Sequence, residues 1–267
     1  MNPSLRGDDA LQRPGTDVVR VHADLRTMIL DCTLEPGRRV SKTELSRLTG
    51  AGRTPLREAL RMLQQEGLVT AELNRRVTIA AFDLDDVDSI YAYRVSMEAA
   101  ALRVTGPLLT DLDLHELDRT MTLMGAAIER GDHDAFEPPH RRFHDLLTAH
   151  VQEGVRARMA IDIDRAERVR RVMHGGQHAL DRADYEHREI LEACRARDGV
   201  TASRLLASHI ARSAFYVAAQ LDPTYDPVLT RTVLRMVLGE ETLETPKRSV
   251  GRQPPSVRDW REKEASA

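Results

Sequence analysis

Four histidines in the second half of the chain have types and spacings that suit a metal ion. The stretch HRRFHDLLTAH places His140 and His144 four residues apart, so both imidazoles lie on one helix face and could share one ion. His187 and His209 follow in two later segments, each beside apolar residues that mark the buried stripe of a helix. Inward helix faces that carry four imidazoles can build a metal site in a bundle. Taken singly, each histidine is more often an ordinary core or surface residue.

Three arginines fall four residues apart in the stretch TGAGRTPLREALRMLQQEGLV. Arg53, Arg57 and Arg61 share one helix stripe, and leucines occupy the opposite side. The guanidinium fork matches guanine edges and phosphates. Thr54 adds a hydroxyl and a backbone N–H at the helix start, where anions are favoured. This stretch therefore predicts a helix that contacts DNA.

Two more arginines, Arg75 and Arg76, fall between the short β-prone stretches LVTAEL and VTIAAF, which predict a hairpin. At a hairpin tip they could reach phosphates or a neighbouring groove. The alternative for the arginines of the helix is a solvated face on which Arg57 pairs with Glu58 or Asp31.

The elements that would position these arginines can be read from the same part of the chain. Apolar spacing in DVVRVHADLRTMILDCTL predicts a first helix, and EPGRRV predicts a turn. Ser41 and Glu44 form a capping box at the start of a second helix. Thr54 followed by Pro55 predicts the N-cap and first residue of a third. Helix, helix, turn, helix and hairpin together predict a winged helix-turn-helix.

No strand pattern follows the segment FDLDD, and the remaining periodicity predicts helices. The expected helices lie near 84–104, 111–131, 140–150, 154–174, 179–197, 200–220 and 226–239. Four polar residues have the types that cap helix starts: Asp83, Thr110, Asp181 and Thr201. Pro138 and Pro139 break the pattern, so a helix should start or kink just before His140.

These patterns predict a mainly α protein of two domains. Residues 17–80 should form the winged helix-turn-helix with its small β-hairpin, and residues 84–240 an all-helical bundle of about six to seven helices. Residues 1–16, which are polar with Gly and Pro, are expected to be a disordered arm, and 241–267 a flexible tail.

The charge distribution favours a polyanion as partner for the first part of the chain. Residues 1–80 hold 13 Lys/Arg against 10 Asp/Glu, whereas residues 81–267 hold 26 against 32, so the two parts differ in sign. Two distant cysteines exclude a disulfide framework. No apolar segment resembles a secretory signal or a membrane span. We therefore expect a cytoplasmic protein that does not enter a membrane.

The stretch PGRRVSKTELSRLTGAGRTPLREALRMLQQEGLV resembles the winged helix-turn-helix of GntR-family bacterial transcription regulators, and the resemblance covers residues 18–80. It implies a homodimer that binds a short palindromic operator in double-stranded DNA. The residues at the positions of Arg53, Thr54 and Arg57 would lie at the DNA. The chain departs from the family at Gly52, where serine or threonine is usual.

The segments YAYRVSMEAAAL, RRFHDLL and EHREILEACRARDGVTASRLLASHI resemble the helical sensor domain of the FadR subfamily, the FCD domain. Metal-binding members of that group imply ligands at His144, His187 and His209, with an aspartate at the position of His140. The replacement leaves four imidazoles. We expect them to bind one divalent transition metal per chain, with zinc and nickel foremost.

The resemblance also implies a small-molecule effector. Arg94 matches an arginine on the first sensor helix and could fork onto an effector carboxylate that also binds the metal; its alternative is a salt bridge to Glu98. The expected function is a metabolite-responsive repressor that a small carboxylate releases from its operator.

Two other functions compete with this interpretation. A helical metalloenzyme could use the four-histidine site, but it needs a general base, and the chain has no HExxH motif. A DNA-binding architectural protein without an effector would have an apolar bundle without inward histidines. We therefore expect a regulator and not an enzyme.

Overall fold

The computed structural model describes residues 14–71, 76–173 and 177–239 of the chain. Over these ranges the chain forms ten α-helices and one three-stranded sheet, which confirms the mainly helical fold. It divides after Ala81 into an N-terminal unit and, from Phe82 onward, a helical unit. Arg75, the tail over 241–267 and most of the arm over 1–16 lie outside the described residues.

The N-terminal unit contains three helices and all three strands. Its elements are α1 Pro14–Leu30, β1 Arg39–Val40, α2 Lys42–Thr49, α3 Arg53–Gln65, β2 Val69–Ala71 and β3 Val77–Ile79. The expected hairpin is β2–β3, paired antiparallel with Thr70 opposite Thr78. The end of the expected turn EPGRRV is instead β1, which pairs with β3 and places β3 at the centre of the sheet. Residues 14–16, expected in the arm, form the first turn of α1.

One apolar core holds the helices and the sheet of this unit together. Its most deeply buried side chains include Val21, Leu25, Leu63 and Val77, each 0–1% exposed. The leucine face of α3 packs into this core, so the opposite face of α3 is exposed to solvent.

Helix starts in this unit follow the sequence signals with one correction. Ser41 caps α2, because its hydroxyl accepts a hydrogen bond from the Glu44 N–H at 3.1 Å. The expected N-cap of α3 is wrong, since α3 begins at Arg53 and Gly52 is its N-cap. Thr54 therefore lies inside the first turn of α3. Gly52 adopts the extended backbone conformation of an N-cap residue but provides no side-chain hydrogen bond.

The helical unit is a bundle of seven α-helices over the described residues, as expected. They are α4 Leu84–Thr105, α5 Asp111–Glu129, α6 His133–Leu147, α7 Glu153–Met173, α8 Gln177–Arg195, α9 Gly199–Leu221 and α10 Val228–Leu238. A short 3-10 helix, Gly106–Leu108, follows α4. None of the described helices is both long and apolar enough to cross a membrane.

Caps in the helical unit were predicted with mixed success. Asp83 and Thr110 cap α4 and α5, as predicted. Asp181 lies inside α8, so its assignment as a cap is wrong. The cap of α9 is Asp198, whose carboxylate accepts hydrogen bonds from the backbone N–H and the hydroxyl of Thr201. The expected cap Thr201 is therefore wrong, since it lies inside the first turn of α9 and donates to Asp198.

The expected start of α6 just before His140 is also wrong. The helix begins at His133 and contains both Pro138 and Pro139. The carboxylate of Asp132 accepts the Ala135 N–H at 2.9 Å and sets the earlier start. Burial of the helix face outweighs the backbone hydrogen bonds that the two prolines cannot donate.

A carboxylate on α4 fixes the start of α10 far along the chain. Asp88 is 5% exposed, and its two oxygens accept the backbone N–H groups of Leu229 and Thr230, each at 2.9 Å. The Thr230 hydroxyl donates to the Asp88 carbonyl at 3.1 Å. Since Pro227, the N-cap residue, makes no side-chain cap, Asp88 performs that role from another helix.

Replacing Asp88 with alanine should destabilise the helical unit. The change leaves the backbone N–H groups of Leu229 and of the fully buried Thr230 without this acceptor, so the free energy of unfolding should fall by about 1–3 kcal/mol. Urea denaturation followed by circular dichroism measures this. Asp111→Ala is the matched control, because Asp111 is an acid in the first turn of α5 whose side chain is 101% exposed. Equal effects of the two substitutions would show that the Asp88 cap contributes nothing.

Candidate metal centre and nucleic-acid interface

The four predicted histidines lie together in the helical unit. α6 supplies His140 and His144, α8 supplies His187 and α9 supplies His209. One ring nitrogen from each can be chosen so that all four lie within 4.8 Å of one another. The rings of His187 and His209 are 4.5 Å apart between centroids, and those of His140 and His144 are 4.7 Å apart. We call this group the histidine cluster.

All four imidazoles are buried and therefore neutral at pH 7. None of the four residues is more than 6% exposed. Burial, which disfavours the charged ring, lowers the pKa of His144 to about 4 and that of His209 to about 3. Burial also holds the pKa of His140 and His187 well below the usual value. Neutral imidazole is the form that binds a metal, so no proton has to be removed first.

Two of these rings have no hydrogen-bond partner in the described part of the chain. Both ring nitrogens of His144 and both of His187 are buried without one among the described residues. An unsatisfied buried polar group costs roughly 1–3 kcal/mol, which makes such a cluster unfavourable without a ligand. The residues present fit a transition metal, because four close nitrogen donors match the preference of zinc, nickel and cobalt.

Carboxylates on neighbouring helices contact the outer side of the cluster. Glu186 Oε2 lies 3.0 Å from His209 Nδ1 in a hydrogen bond and also pairs with Arg212. Glu98 Oε2 lies 3.3 Å from His144 Nδ1, close enough for attraction although not aligned for a hydrogen bond. Carboxylates of this kind fix the tautomer and orientation of metal-binding histidines.

Another acid, Glu137, pairs with Arg170 beside the His140 ring. Sequence reasoning missed Glu186 and Glu137, and it named Glu98 only as a salt-bridge partner of Arg94. Glu186 precedes His187 directly, and Glu137 stands three residues before His140 on the same helix, so a search for acids near the histidines could have found these two.

Arg94 forms the salt bridge that was its alternative role. Its Nε donates to Glu98 Oε1 at 2.7 Å, and the two side chains are 5% and 1% exposed. Burial alone would raise the pKa of Glu98, but the charge of Arg94, together with His144, outweighs it and lowers that pKa to about 2. Glu98 is therefore ionised, and a role of Arg94 in effector binding stays a prediction.

The predicted DNA-contacting residues of α3 are all exposed on one face. They are Arg53, Thr54, Arg57 and Arg61. Arg57 does pair with Glu58, but at 3.3 Å and with 74% of its side chain exposed. Such a surface pair is worth about 1 kcal/mol or less and leaves the guanidinium free to move to a phosphate or a base. Arg76 is exposed next to β3.

Comparison with known proteins links both units to transcription regulators. Residues 18–79 match the family of bacterial regulatory proteins called gntR, and residues 89–212 match the FCD domain. The chain is 26% identical to YdhC of Bacillus subtilis, an uncharacterized HTH-type transcriptional regulator, over 76% of this chain and 91% of that protein. It is 26% identical to the HTH-type transcriptional repressor RspR of Escherichia coli, over 72% and 84%.

A solved structure shows the same fold. McbR/YncC of E. coli superposes with a TM-score of 0.68 and 21% identity, over 76% of this chain and 98% of that one.

Substitution of His144 tests the histidine cluster. His144→Ala removes one ligand, so zinc affinity should fall by more than the roughly 10–100-fold that loss of an outer hydrogen-bond partner costs. A competition titration against a chromogenic zinc chelator measures the change. His115→Ala, at an exposed position of α5, is the control and should bind zinc as the wild type does. Unchanged zinc affinity in the His144 variant would exclude this residue as a ligand.

Proposed function

Because this chain is a GntR-family transcription regulator that carries an FCD domain, we propose that it is a metal-dependent repressor released from DNA by a small carboxylate. The chain is not an enzyme, since its families and relatives are DNA-binding regulators. The observation that carries the proposal is the histidine cluster, in which the ring nitrogens of His144 and His187 have no hydrogen-bond partner among the described residues. RspR, a relative that is itself named a repressor, supports repression.

The metal in this proposal is one divalent transition ion per chain, zinc or nickel, held by His140, His144, His187 and His209. Four nitrogen donors without an oxygen donor favour the later ions of the first transition row over manganese or magnesium. The metal would remove the cost of the unsatisfied imidazoles, so it would stabilise the helical unit as well as create a ligand site.

The effector in this proposal is a small carboxylate. Four neutral ligands leave the full positive charge on the ion, and a buried charge needs compensation. Arg94 would provide a second contact to the effector, and it would have to share its guanidinium between the ligand and Glu98. Because that guanidinium has five N–H donors, it can hold Glu98 through Nε and still donate elsewhere.

The DNA contacts in this proposal come from two copies of the chain on a palindromic operator. In each copy Arg53, Thr54, Arg57 and Arg61 of α3 would enter the major groove. Arg75 and Arg76 would reach the backbone or the adjacent groove. Binding of the effector would favour the arrangement of the dimer with lower operator affinity, which requires the effector to bind the two states with different affinity. The proposed place of action is the cytoplasm.

Substitution of Arg57 tests the DNA-reading face. Arg57→Ala should weaken binding to a site selected from random DNA by about 1–3 kcal/mol, because a guanidinium contact to a base is lost. Fluorescence anisotropy at fixed salt measures the affinity. Arg119→Ala is the control, since Arg119 is 63% exposed and has the same kind of pair, with Glu116 at 3.3 Å, in the helical unit. If both variants bind the selected site equally well, Arg57 does not read DNA.

Release from DNA tests the whole proposal. Zinc-loaded protein on its selected site should dissociate when titrated with small mono- and dicarboxylates, and metal-free protein should respond only at much higher concentration. The His144→Ala variant should behave as the metal-free protein does. Identical release curves with and without metal would contradict metal-dependent release. The chain would then be assigned only as a DNA-binding regulator.

A further inference from the structure

A buried tyrosine hydroxyl close to the charged groups around the histidine cluster has no hydrogen-bond partner in the ranges that the structure describes. Tyr91 on α4 is 0% exposed, and its hydroxyl lacks a partner among the described residues. Burial raises the pKa of this phenol, which therefore keeps its proton and can donate. A buried donor with nothing to bind is costly, so this hydroxyl marks a place where a ligand acceptor would be stabilised.

Two guanidinium groups lie within electrostatic range of this hydroxyl. The Arg94 guanidinium carbon is 5.5 Å from the centre of the Tyr91 ring. The positive charge of Arg170 on α7 also acts electrostatically on the Tyr91 phenol and favours its ionised form. The Nη2 atom of Arg170 lies 3.3 Å from His140 Nδ1. Each guanidinium has five N–H donors, so it can donate to an anion placed near the phenol while it keeps its own carboxylate partner. Tyr91 and Arg170 therefore add hydrogen-bond donors next to the histidine cluster, on the side of His140.

The charge balance of the site calls for more than one negative charge. Arg94 is neutralised by Glu98, Arg170 by Glu137 and Arg212 by Glu186, so none of these acids is left to compensate a metal ion. The four ligands are neutral, and a divalent ion would keep both of its charges. One carboxylate leaves the centre with a net positive charge in a buried place, whereas two carboxylates balance it.

We propose that Tyr91 and Arg170 form a second binding position for the effector, which is a dicarboxylate with one group on the metal and the other on this pair. The proposal rests on the proposed metal-dependent function and names its ligand class. The Tyr91 hydroxyl donates to the second carboxylate, and Arg170 adds a charge-assisted contact while it keeps Glu137. A monocarboxylate fills only the metal and leaves the Tyr91 hydroxyl unsatisfied.

Calorimetric titration of zinc-loaded protein tests this position. The probes are unbranched dicarboxylates from oxalate to adipate and the monocarboxylates of equal chain length. At the best length the dicarboxylate should bind at least about tenfold more tightly than its monocarboxylate, as expected for one added charge-assisted contact. Tyr91→Phe should remove most of this advantage and leave monocarboxylate affinity unchanged.

A matched control stands two residues away on the same helix. Tyr93 packs against an apolar cluster with Met159, and the Arg158 guanidinium carbon lies 5.7 Å from the centre of its ring. Tyr93→Phe should therefore change neither affinity. Zinc content, measured before and after titration, shows whether the metal stays bound in each variant.

The outcomes separate the two proposals. A wild-type protein that takes up no zinc overturns the proposed function and this position with it. Zinc uptake with equal affinity for both ligand classes overturns the second position alone. A dicarboxylate advantage that is undiminished in Tyr91→Phe has the same meaning, because the Tyr91 hydroxyl would then make no contact with the second carboxylate.

Discussion

Four imidazoles buried in one place need partners for their ring nitrogens, and the packing of the helical unit depends on this constraint. The packing of α6, α8 and α9 must align their histidines along the helices, because one ring nitrogen of each lies within 4.8 Å of the others. The acids Glu98 and Glu186 then reach the outer nitrogens, and each acid is itself paired with an arginine. Charged groups this deep in a protein are tolerated only as parts of such a paired network.

α4 connects this network to the rest of the helical unit. One helix carries Tyr91, Arg94 and Glu98 beside the cluster and Asp88 at the start of α10. A ligand that competes for Arg94 would therefore change the contacts of the same helix that holds α10. In the proposed site, the neutral imidazoles and the arginines already balanced by acids would leave the charge of the ion uncompensated, which is why an anion is the proposed ligand class.

The sequence predicted the parts of the site that lie on single helices. His140 and His144 show their shared face by spacing alone, and the arginine stripe of α3 does so in the same way. The contacts of Glu98 with His144 and of Asp88 with Thr230 depend on packing between distant helices, which no local pattern encodes. The start of α6 was misjudged because burial of its face outweighs the local effect of two prolines. β1 was missed because a two-residue strand exists only through its partner, β3.

The cap that Asp88 provides has a consequence for synthesis on the ribosome. The core of the N-terminal unit is complete once Ile79 has emerged, because every residue of it lies between Val21 and Ile79. α4 emerges next, but the backbone groups that Asp88 binds follow more than 140 residues later. The N-terminal unit can therefore fold early, while the Asp88 carboxylate and the apolar face of α4 are still exposed to solvent. During that interval, chaperones and proteases meet a nascent chain whose N-terminal unit is folded but whose histidine cluster has not yet formed.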